Sequence, residues 1–115
     1  MQNNYKMSIS LKFPIGDALD RYSILEIKSN CIKDENKLDE VKKEIELLSS
    51  SVKQYITNHS YYYKCLLKIN QEIWDDLDNI TTNENMEKDD ELELYKVMWG
   101  KNHQRYRIKK KINLL

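Results

Sequence analysis

An apolar repeat with a period of seven residues runs without interruption from residue 24 to residue 55. Its ten positions are Ile24, Ile27, Cys31, Asp34, Leu38, Val41, Ile45, Leu48, Val52 and Tyr55. Side chains spaced three and four residues apart lie along one side of an α-helix, so the repeat predicts helix with a continuous stripe. Charged residues fill most positions between them and predict a solvent-exposed opposite face. A stripe of this length needs a partner, which is either another helix of the chain or a second copy of it.

Asp34 is the only charged residue of the stripe, and it leaves two alternatives. A bare carboxylate buried in one continuous helix would be costly. The same side chain at the start of a new helix would be a favourable N-cap. We therefore favour a break between Lys33 and Asp34, with a second helix over residues 35–56. The alternative is one rod of about 40 residues, roughly 60 Å long.

Glycine and proline are too scarce for a fold that depends on tight turns. The 115 residues include two glycines and one proline, whereas a β-rich chain would need more of both. Two glycines also leave no glycine-rich phosphate loop. Acidic and basic side chains number 19 each, a balance that argues against a chain built mainly to coat nucleic acid. These counts favour an all-α protein without a nucleotide-binding loop.

The cysteines and the apolar segments indicate a soluble chain. Cys31 lies on the stripe and Cys65 within a helical pattern, so we expect both to be small buried hydrophobes without a disulfide. The sequence shows neither a secretion signal nor a run of about 20 apolar residues. We expect a cytoplasmic protein with no membrane contact, in the host cytoplasm if the source is viral.

Two more helices follow the repeat, over about residues 61–81 and 90–113. Short connections between successive helices predict antiparallel packing. The expected fold class is an all-α antiparallel bundle of three or four helices with a long, heptad-patterned helical hairpin. Residues 13–115 would be its single domain and residues 1–12 a flexible arm. The packing face of the third helix is Tyr62, Leu66, Ile69, Ile73, Leu77 and Ile80.

The fourth helix carries an unusual line of residues at helical spacing, because its middle is polar. The line consists of Tyr95, Met98, Asn102, Arg105, Lys109 and Ile112. One interpretation is a pocket in which Arg105 and Lys109 bind an anion that Asn102 orients. The alternative is a solvated face, with Trp99, Tyr106 and Ile108 packing instead. The basic end of this helix also permits nucleic-acid binding, which is the weaker prediction.

The third helix carries carboxylates around a tryptophan. Asn70, Trp74 and Asp78 lie at i, i+4 and i+8, with Asp75 beside the indole. Carboxylates three residues apart can share a divalent cation, but an ordinary amphipathic helix has the same appearance. We therefore assign no metal site and no cofactor.

The order and spacing of several segments resemble a family of small uncharacterised helical proteins of bacteria and large DNA viruses or phages. The similarity covers about residues 15–113 and is carried by the following residues: Ile15-Gly16, Asp20, Ile24-Leu25-Glu26-Ile27-Lys28, Asp34, Lys37-Leu38, Asn70, Trp74-Asp75, Asp78, Asn102, Arg105, Lys109 and Ile112-Asn113. The family has no established activity, and some members accompany glycosyltransferases or other enzymes of surface polysaccharides. Such an association is not a mechanism.

The resemblance implies a shared polar set: Asp20, Glu26, Lys28, Asn70, Asp75, Asp78, Asn102 and Arg105. This chain has Glu35 where the family often has proline, Leu77 where it often has an acid and Thr81 where it often has arginine. The differences at Leu77 and Thr81 weaken any charged site on the third helix. Asp20 is in phase with Ile24 and Ile27, so it points inward. We expect an ion pair between Asp20 and Arg105 inside the bundle.

Two function hypotheses follow. The first is a non-enzymatic helical accessory or protein-interaction domain, which binds a protein partner or self-associates along the second helix and serves glycan or envelope biosynthesis. The second is a small metal-dependent enzyme acting on a nucleotide or a phosphorylated sugar. The candidate ligand-binding residues are Asp20, Glu26, Asn70, Trp74, Asp75, Asp78, Asn102, Arg105 and Lys109. In an enzyme they would converge on an open cleft, whereas in a structural protein they would pair with one another.

Overall fold

Four α-helices make up most of the part of the chain that the computed structural model describes, residues 7–115. The helices are α1 (Ile15–Cys31), α2 (Glu35–Asn58), α3 (Ser60–Thr82) and α4 (Lys88–Asn113). The prediction of an all-α helical bundle is confirmed. Residues 1–6 of the predicted N-terminal arm lie outside the described residues. Residues 7–13 have no regular structure and expose Met7, Ile9, Leu11 and Phe13.

The break at Asp34 has the predicted form, and the continuous rod is wrong. α1 ends at Cys31, and Ile32 adopts an extended conformation. The Asp34 carboxylate then accepts hydrogen bonds from the backbone N–H groups of Asn36 (2.9 Å) and Lys37 (3.3 Å), as an N-cap does. Cys31 is exposed, which contradicts the predicted burial, because the stripe stops facing the bundle where the helix ends. Cys65 is half-buried, and neither cysteine forms a disulfide.

α1 is the central helix, since it packs against each of the other three. It runs antiparallel to α4, because Gly16 lies near Asn113 while Asp20 lies near Arg105. α2 follows α1 as a hairpin, tied on the surface by Arg21 and Glu44. α2 and α3 are separated only by His59 and make few contacts with each other.

Each helix contributes to one small apolar core. Leu19 comes from α1, Val52 from α2, Tyr63 and Leu66 from α3, and Ile112 from α4. Leu19 and Leu66 are fully buried. Of the adjacent tyrosines, Tyr62 packs against this cluster while Tyr61 is exposed, as their helical spacing requires.

The far half of the α3–α4 hairpin has no core of its own. Within the described chain, no residue between Gln71 and Lys111 is buried. Leu77, predicted to pack, is exposed because no third helix covers this half. The radius of gyration is 16.2 Å, against about 13 Å for a compact domain of this size. The bundle is therefore elongated, with extents of 49 × 36 × 25 Å.

Gly16 allows α1 and α4 to approach closely. Its backbone N–H donates a 2.6 Å hydrogen bond to the side-chain oxygen of Asn113. A Cβ atom at position 16 would lie 2.4 Å from the carbonyl oxygen of Lys109 and 2.8 Å from the Asn113 oxygen. The first of these is backbone and cannot swing away, so any side chain here forces the two helices apart.

We expect Gly16→Ala to lower the free energy of unfolding by about 2 kcal/mol, because it overpacks the contact between α1 and α4. The matched control is Gly100→Ala inside α4, where an added Cβ meets nothing within 4 Å. That change should raise stability by about 0.5–1 kcal/mol, since alanine favours helix over glycine. Urea unfolding followed by circular dichroism measures both variants. A stabilised Gly16→Ala protein would show that the two helices are not in such close contact.

Candidate functional site

A buried ion pair between α1 and α4 forms the centre of the candidate site. The Asp20 side chain is 5% exposed and the Arg105 side chain 27%. Arg105 Nε donates to Asp20 Oδ1 at 2.8 Å, and Arg105 Nη2 donates to Asp20 Oδ2 at 2.5 Å. Two parallel bonds of this kind fix both the distance and the orientation of the groups. The contact predicted from helical phase is confirmed.

Asn70 extends this pair to a third helix. Its side-chain nitrogen donates to Asp20 Oδ1 at 2.9 Å and is 2.8 Å from Ser23 Oγ. The Ser23 hydroxyl in turn donates to the Asp20 carbonyl oxygen at 2.6 Å. All three residues are buried, and none of them has a fully buried side-chain nitrogen or oxygen without a hydrogen-bond partner. The network therefore joins α1, α3 and α4 at one point.

Lys109 lies one turn beyond Arg105 and completes the balance of charge. Its ammonium group is 2.7 Å from Asp17 Oδ1 and 3.8 Å from Asp20 Oδ2. Asn102 is at the edge of the site, where its oxygen accepts a long 3.5 Å contact from Arg105 Nη1. Two carboxylates of α1 thus face two cations of α4.

The two charged partners shift each other's pKa. Burial alone would raise the pKa of the Asp20 carboxyl, but the hydrogen bonds from Arg105 and Asn70, together with the charges of Arg105 and Lys109, hold it below its ordinary value. The hydrogen bonds to Asp20 raise the pKa of Arg105 against the opposing effect of burial. Both groups are therefore charged at neutral pH, and the buried charge is compensated within the chain.

An open cleft of about 380 Å³ lies beside the ion pair. Four cationic side chains line it, and three of them already hold carboxylates of the same chain. The cationic residues are Arg21, Lys28, Arg105 and Lys109. Arg105 and Lys109 do contact anions, as one interpretation of the sequence expects, but these anions are the carboxylates of Asp20 and Asp17 of the same chain. The alternative for α4, in which Trp99, Tyr106 and Ile108 pack against the bundle, is wrong in part. Trp99 and Tyr106 are exposed, whereas Ile108 packs against the core.

Glu26 lies apart from this network. It is half-buried, and its backbone carbonyl accepts a hydrogen bond from Ser29 Oγ. Burial raises the pKa of the Tyr63 hydroxyl above its ordinary value, and the negative charge of Glu26 adds to the rise. The Tyr63 hydroxyl itself is buried without a hydrogen-bond partner. Glu26 therefore faces the aromatic part of the core and not the Asp20 site.

The remaining predicted residues of α3 do not reach the site either. Asp75 and Asp78 are exposed, and Trp74 is half-buried. Asp75 accepts a hydrogen bond from Gln71 at 3.0 Å, one turn away on the same helix. The carboxylate of this segment that makes a contact between helices is Asp76, 2.6 Å from Lys101. Among the described residues there is no group of three or more His, Cys, Asp or Glu side chains placed to hold a metal ion.

Sequence reasoning did not assign roles to Ser23, Asp17 and Gly16 in this site. Ser23 is adjacent to the apolar stripe, and a lone serine there carries no signal of its own. Asp17 lies in the first turn of α1, where the helix dipole favours a negative charge in any protein, so its position alone does not indicate a site. A signal for Asp17 does exist, because Asp17 and Asp20 lie about one helical turn apart on α1, as Arg105 and Lys109 do on α4.

Comparison of the chain with models of known protein families, with curated proteins and with solved structures gives no match in any of the three. None of the helices in the described part of the chain is long and apolar enough to cross a membrane.

We expect Arg105→Ala to lower the free energy of unfolding by about 3 kcal/mol, because it leaves the buried Asp20 carboxylate without its main partner. The double variant Asp20→Asn/Arg105→Ala should cost less than the sum of Asp20→Asn alone and Arg105→Ala alone, with a coupling energy of about 2 kcal/mol. Chemical denaturation of the four proteins measures this cycle. The same cycle on Arg21 and Glu44, whose side chains are 58% and 44% exposed, should give less than about 1 kcal/mol. Equal coupling in both cycles would contradict a structural role for the buried pair.

Acid should destabilise the protein through Asp20. Because the folded state lowers the pKa of this carboxyl, its contribution is fully present above the unfolded pKa of about 4 and is lost as the pH falls through the folded value. In Asp20→Asn, the free energy of unfolding should therefore fall less steeply below about pH 4 than in the wild type. Asp75→Asn, which removes an exposed carboxylate, should keep the wild-type slope. Urea titrations at a series of pH values measure the slopes, and parallel slopes for wild type and Asp20→Asn would refute this assignment.

Proposed function

We propose that this protein is a non-enzymatic helical interaction module, whose polar network holds the helices in register and whose surface binds a protein partner. The observation that supports this most directly is the closure of the network. Asp20 is compensated by Arg105, Lys109 and Asn70, so its carboxylate is neither free to accept a proton nor open to a substrate. A catalytic carboxylate at neutral pH needs the opposite, which is an unpaired position and a raised pKa.

The distribution of apolar residues also supports a binding role. Within residues 7–115, fifteen large hydrophobic side chains are exposed and nine hydrophobic side chains are buried, so the exposed apolar residues outnumber those of the core. Isolated exposed leucines are ordinary in soluble proteins, but contiguous groups mark interaction sites. Four of the exposed residues form a contiguous group on one face of α4: Leu92, Tyr95, Trp99 and Tyr106. A protein partner of matching apolar shape would bury this face.

The metal-dependent enzyme has less support from the residues described. Its predicted carboxylates on α3, Asp75 and Asp78, are exposed, and no candidate ligand set forms around them in the part of the chain described. A link to glycan or envelope biosynthesis enters this proposal through the family resemblance alone. Glycan or envelope biosynthesis is therefore a biological setting in which the proposed module can be tested.

A second candidate, anion binding in the cleft, is favoured by one observation. Lys28 lines the cleft and has no ion pair among the described residues. A phosphate or carboxylate group of a ligand would find Lys28 beside Arg21 there. This candidate needs no metal and no reaction, and it is compatible with a structural network next to it.

Photo-crosslinking at position 99 tests the proposal. With p-benzoylphenylalanine in place of Trp99, we expect light-dependent covalent adducts with protein in the cells in which this chain is made. The matched control is the same substitution at Gln104, which is exposed on α4 but lies outside the apolar face. Its adducts should be much weaker. Absence of a position-specific adduct at 99 would overturn the proposed function.

Thermal unfolding distinguishes an interaction module from a protein that binds a small ligand. Mg²⁺, Mn²⁺, nucleotides and nucleotide sugars, singly and combined, should leave the melting temperature unchanged. A ligand at 100 times its Kd would add about 2.7 kcal/mol and shift the transition by several degrees. A shift that Lys28→Ala abolishes would favour the cleft, and one that Asp75→Ala abolishes would favour the metal-dependent enzyme.

A further inference from the structure

We propose that the partner of the apolar α4 face is a second copy of this chain, bound with the two α4 helices antiparallel and crossing at Trp99. This inference rests on the proposed function, since it names the partner of the same surface.

The aromatic stripe, as we call this surface, consists of Leu92, Tyr95, Trp99, His103 and Tyr106. At about 100° per residue these five side chains fall within an arc of about 80° and extend over about 21 Å of helix. Trp99 is 74% exposed and Leu92 60%. The Trp99 and His103 rings stack with centroids 6.0 Å apart and an interplanar angle of 7°, which makes a flat platform. Such an area of indole, phenol and aliphatic surface is large for a surface that stays in water.

The stripe faces away from the rest of the bundle. The side of α4 that meets the bundle carries Arg105, Lys109 and Ile112, which contact α1 and the core. None of the described helices packs over the stripe, as the exposure of its members shows. A second chain can therefore reach it without displacing any contact of the first.

The stripe is symmetric about its own middle residue. Leu92 lies seven residues before Trp99, and Tyr106 lies seven residues after it. In an antiparallel pair centred on Trp99, each Leu92 meets Tyr106 of the second copy and the two Trp99 rings meet each other. A surface that complements itself in this way is what a twofold dimer requires.

The charges beside the stripe favour the antiparallel arrangement. The first turn of α4 carries Asp89, Asp90 and Glu91, whereas its last turn is basic and no acidic residue follows Glu93. Along one edge of the stripe, Asp89 and Glu93 precede its centre while Arg107 and Lys111 follow it. Antiparallel pairing places Glu93 near Arg107 of the second copy and Asp89 near Lys111. None of these four side chains forms an ion pair within the described part of the chain.

Other occupants fit these charges less well. A parallel pair would place acid against acid at one end and base against base at the other. An anionic membrane surface would be attracted to Arg107 and Lys111 but repelled by Asp89 and Glu93. The second helix, expected from the repeat as the dimer contact, exposes two large apolar residues, Leu47 and Tyr55, separated by two turns. The stripe on α4 is therefore the better surface for self-association.

Sedimentation equilibrium of the full chain tests this inference. We expect a species of twice 13.9 kDa that dissociates on dilution. Trp99→Glu and the charge reversal Glu93→Lys should each raise Kd at least about tenfold. The double variant Glu93→Lys/Arg107→Glu restores opposite charges across the pair and should return Kd to within about threefold of the wild type. Leu47→Glu on α2 is the matched control and should leave Kd unchanged.

The following outcomes would overturn the inference of an α4 dimer. A wild-type protein that stays monomeric up to about 1 mM, or a dimer that Trp99→Glu does not weaken but Leu47→Glu does, would exclude the α4 pair. Binding of the monomer to phosphatidylserine vesicles, lost in Trp99→Glu, would assign the stripe to a membrane. Circular dichroism of every variant confirms that its helices remain formed. The crosslinking at position 99 distinguishes failure of the dimer from failure of the interaction module. An adduct with a different protein would support the module and contradict the dimer. Absence of any adduct would contradict both.

Discussion

The carboxylate of Asp20 imposes the constraint on which the arrangement of the helices depends. A charge with 5% of its side chain exposed is tolerable only if hydrogen bonds and opposite charges replace the water it has lost. Here those groups come from two other helices, Asn70 on α3 and Arg105 on α4. A slip of α4 by one turn would break the two hydrogen bonds from Arg105, and a slip of α3 by one turn would break the bond from Asn70. The network therefore selects one register among the many that a small apolar core would permit.

The close approach of α1 and α4 and the ion pair depend on each other. Gly16 brings the start of α1 against the end of α4, and this proximity places Lys109 beside Asp17 and Arg105 beside Asp20. A bulkier residue at position 16 would separate the backbones and lengthen both contacts. The absence of a Cβ atom at position 16 is thus a condition for the electrostatic contacts made by the next residue, Asp17, and by Asp20 one turn further along α1.

α4 is unusual in the composition of its two faces. The face toward the bundle is largely polar and meets charged groups of α1, while the face toward solvent carries Leu92, Trp99 and Tyr106. This reverses the ordinary amphipathic pattern, in which apolar residues face inward. The reversal makes sense if the inward face fixes register and the outward face is covered by another chain, as the proposed antiparallel pair would do.

The sequence by itself determined the secondary structure and one long-range contact. The period of the repeat, the scarcity of glycine and the capping role of Asp34 depend on neighbours within a few residues, so they are readable without tertiary information. Asp20 and Arg105 belong to the polar set that the family resemblance implies, and the inward phase of Asp20 and the polar middle of α4 then predicted their contact. Only the tertiary structure decided which faces are covered: Cys31 and Leu77 lie on apolar faces and are exposed, whereas Ser23 and Asn70 are polar and buried. The physical reason is that periodicity shows that a face is apolar but not whether another helix reaches it, because that depends on the lengths and directions of helices distant in the sequence.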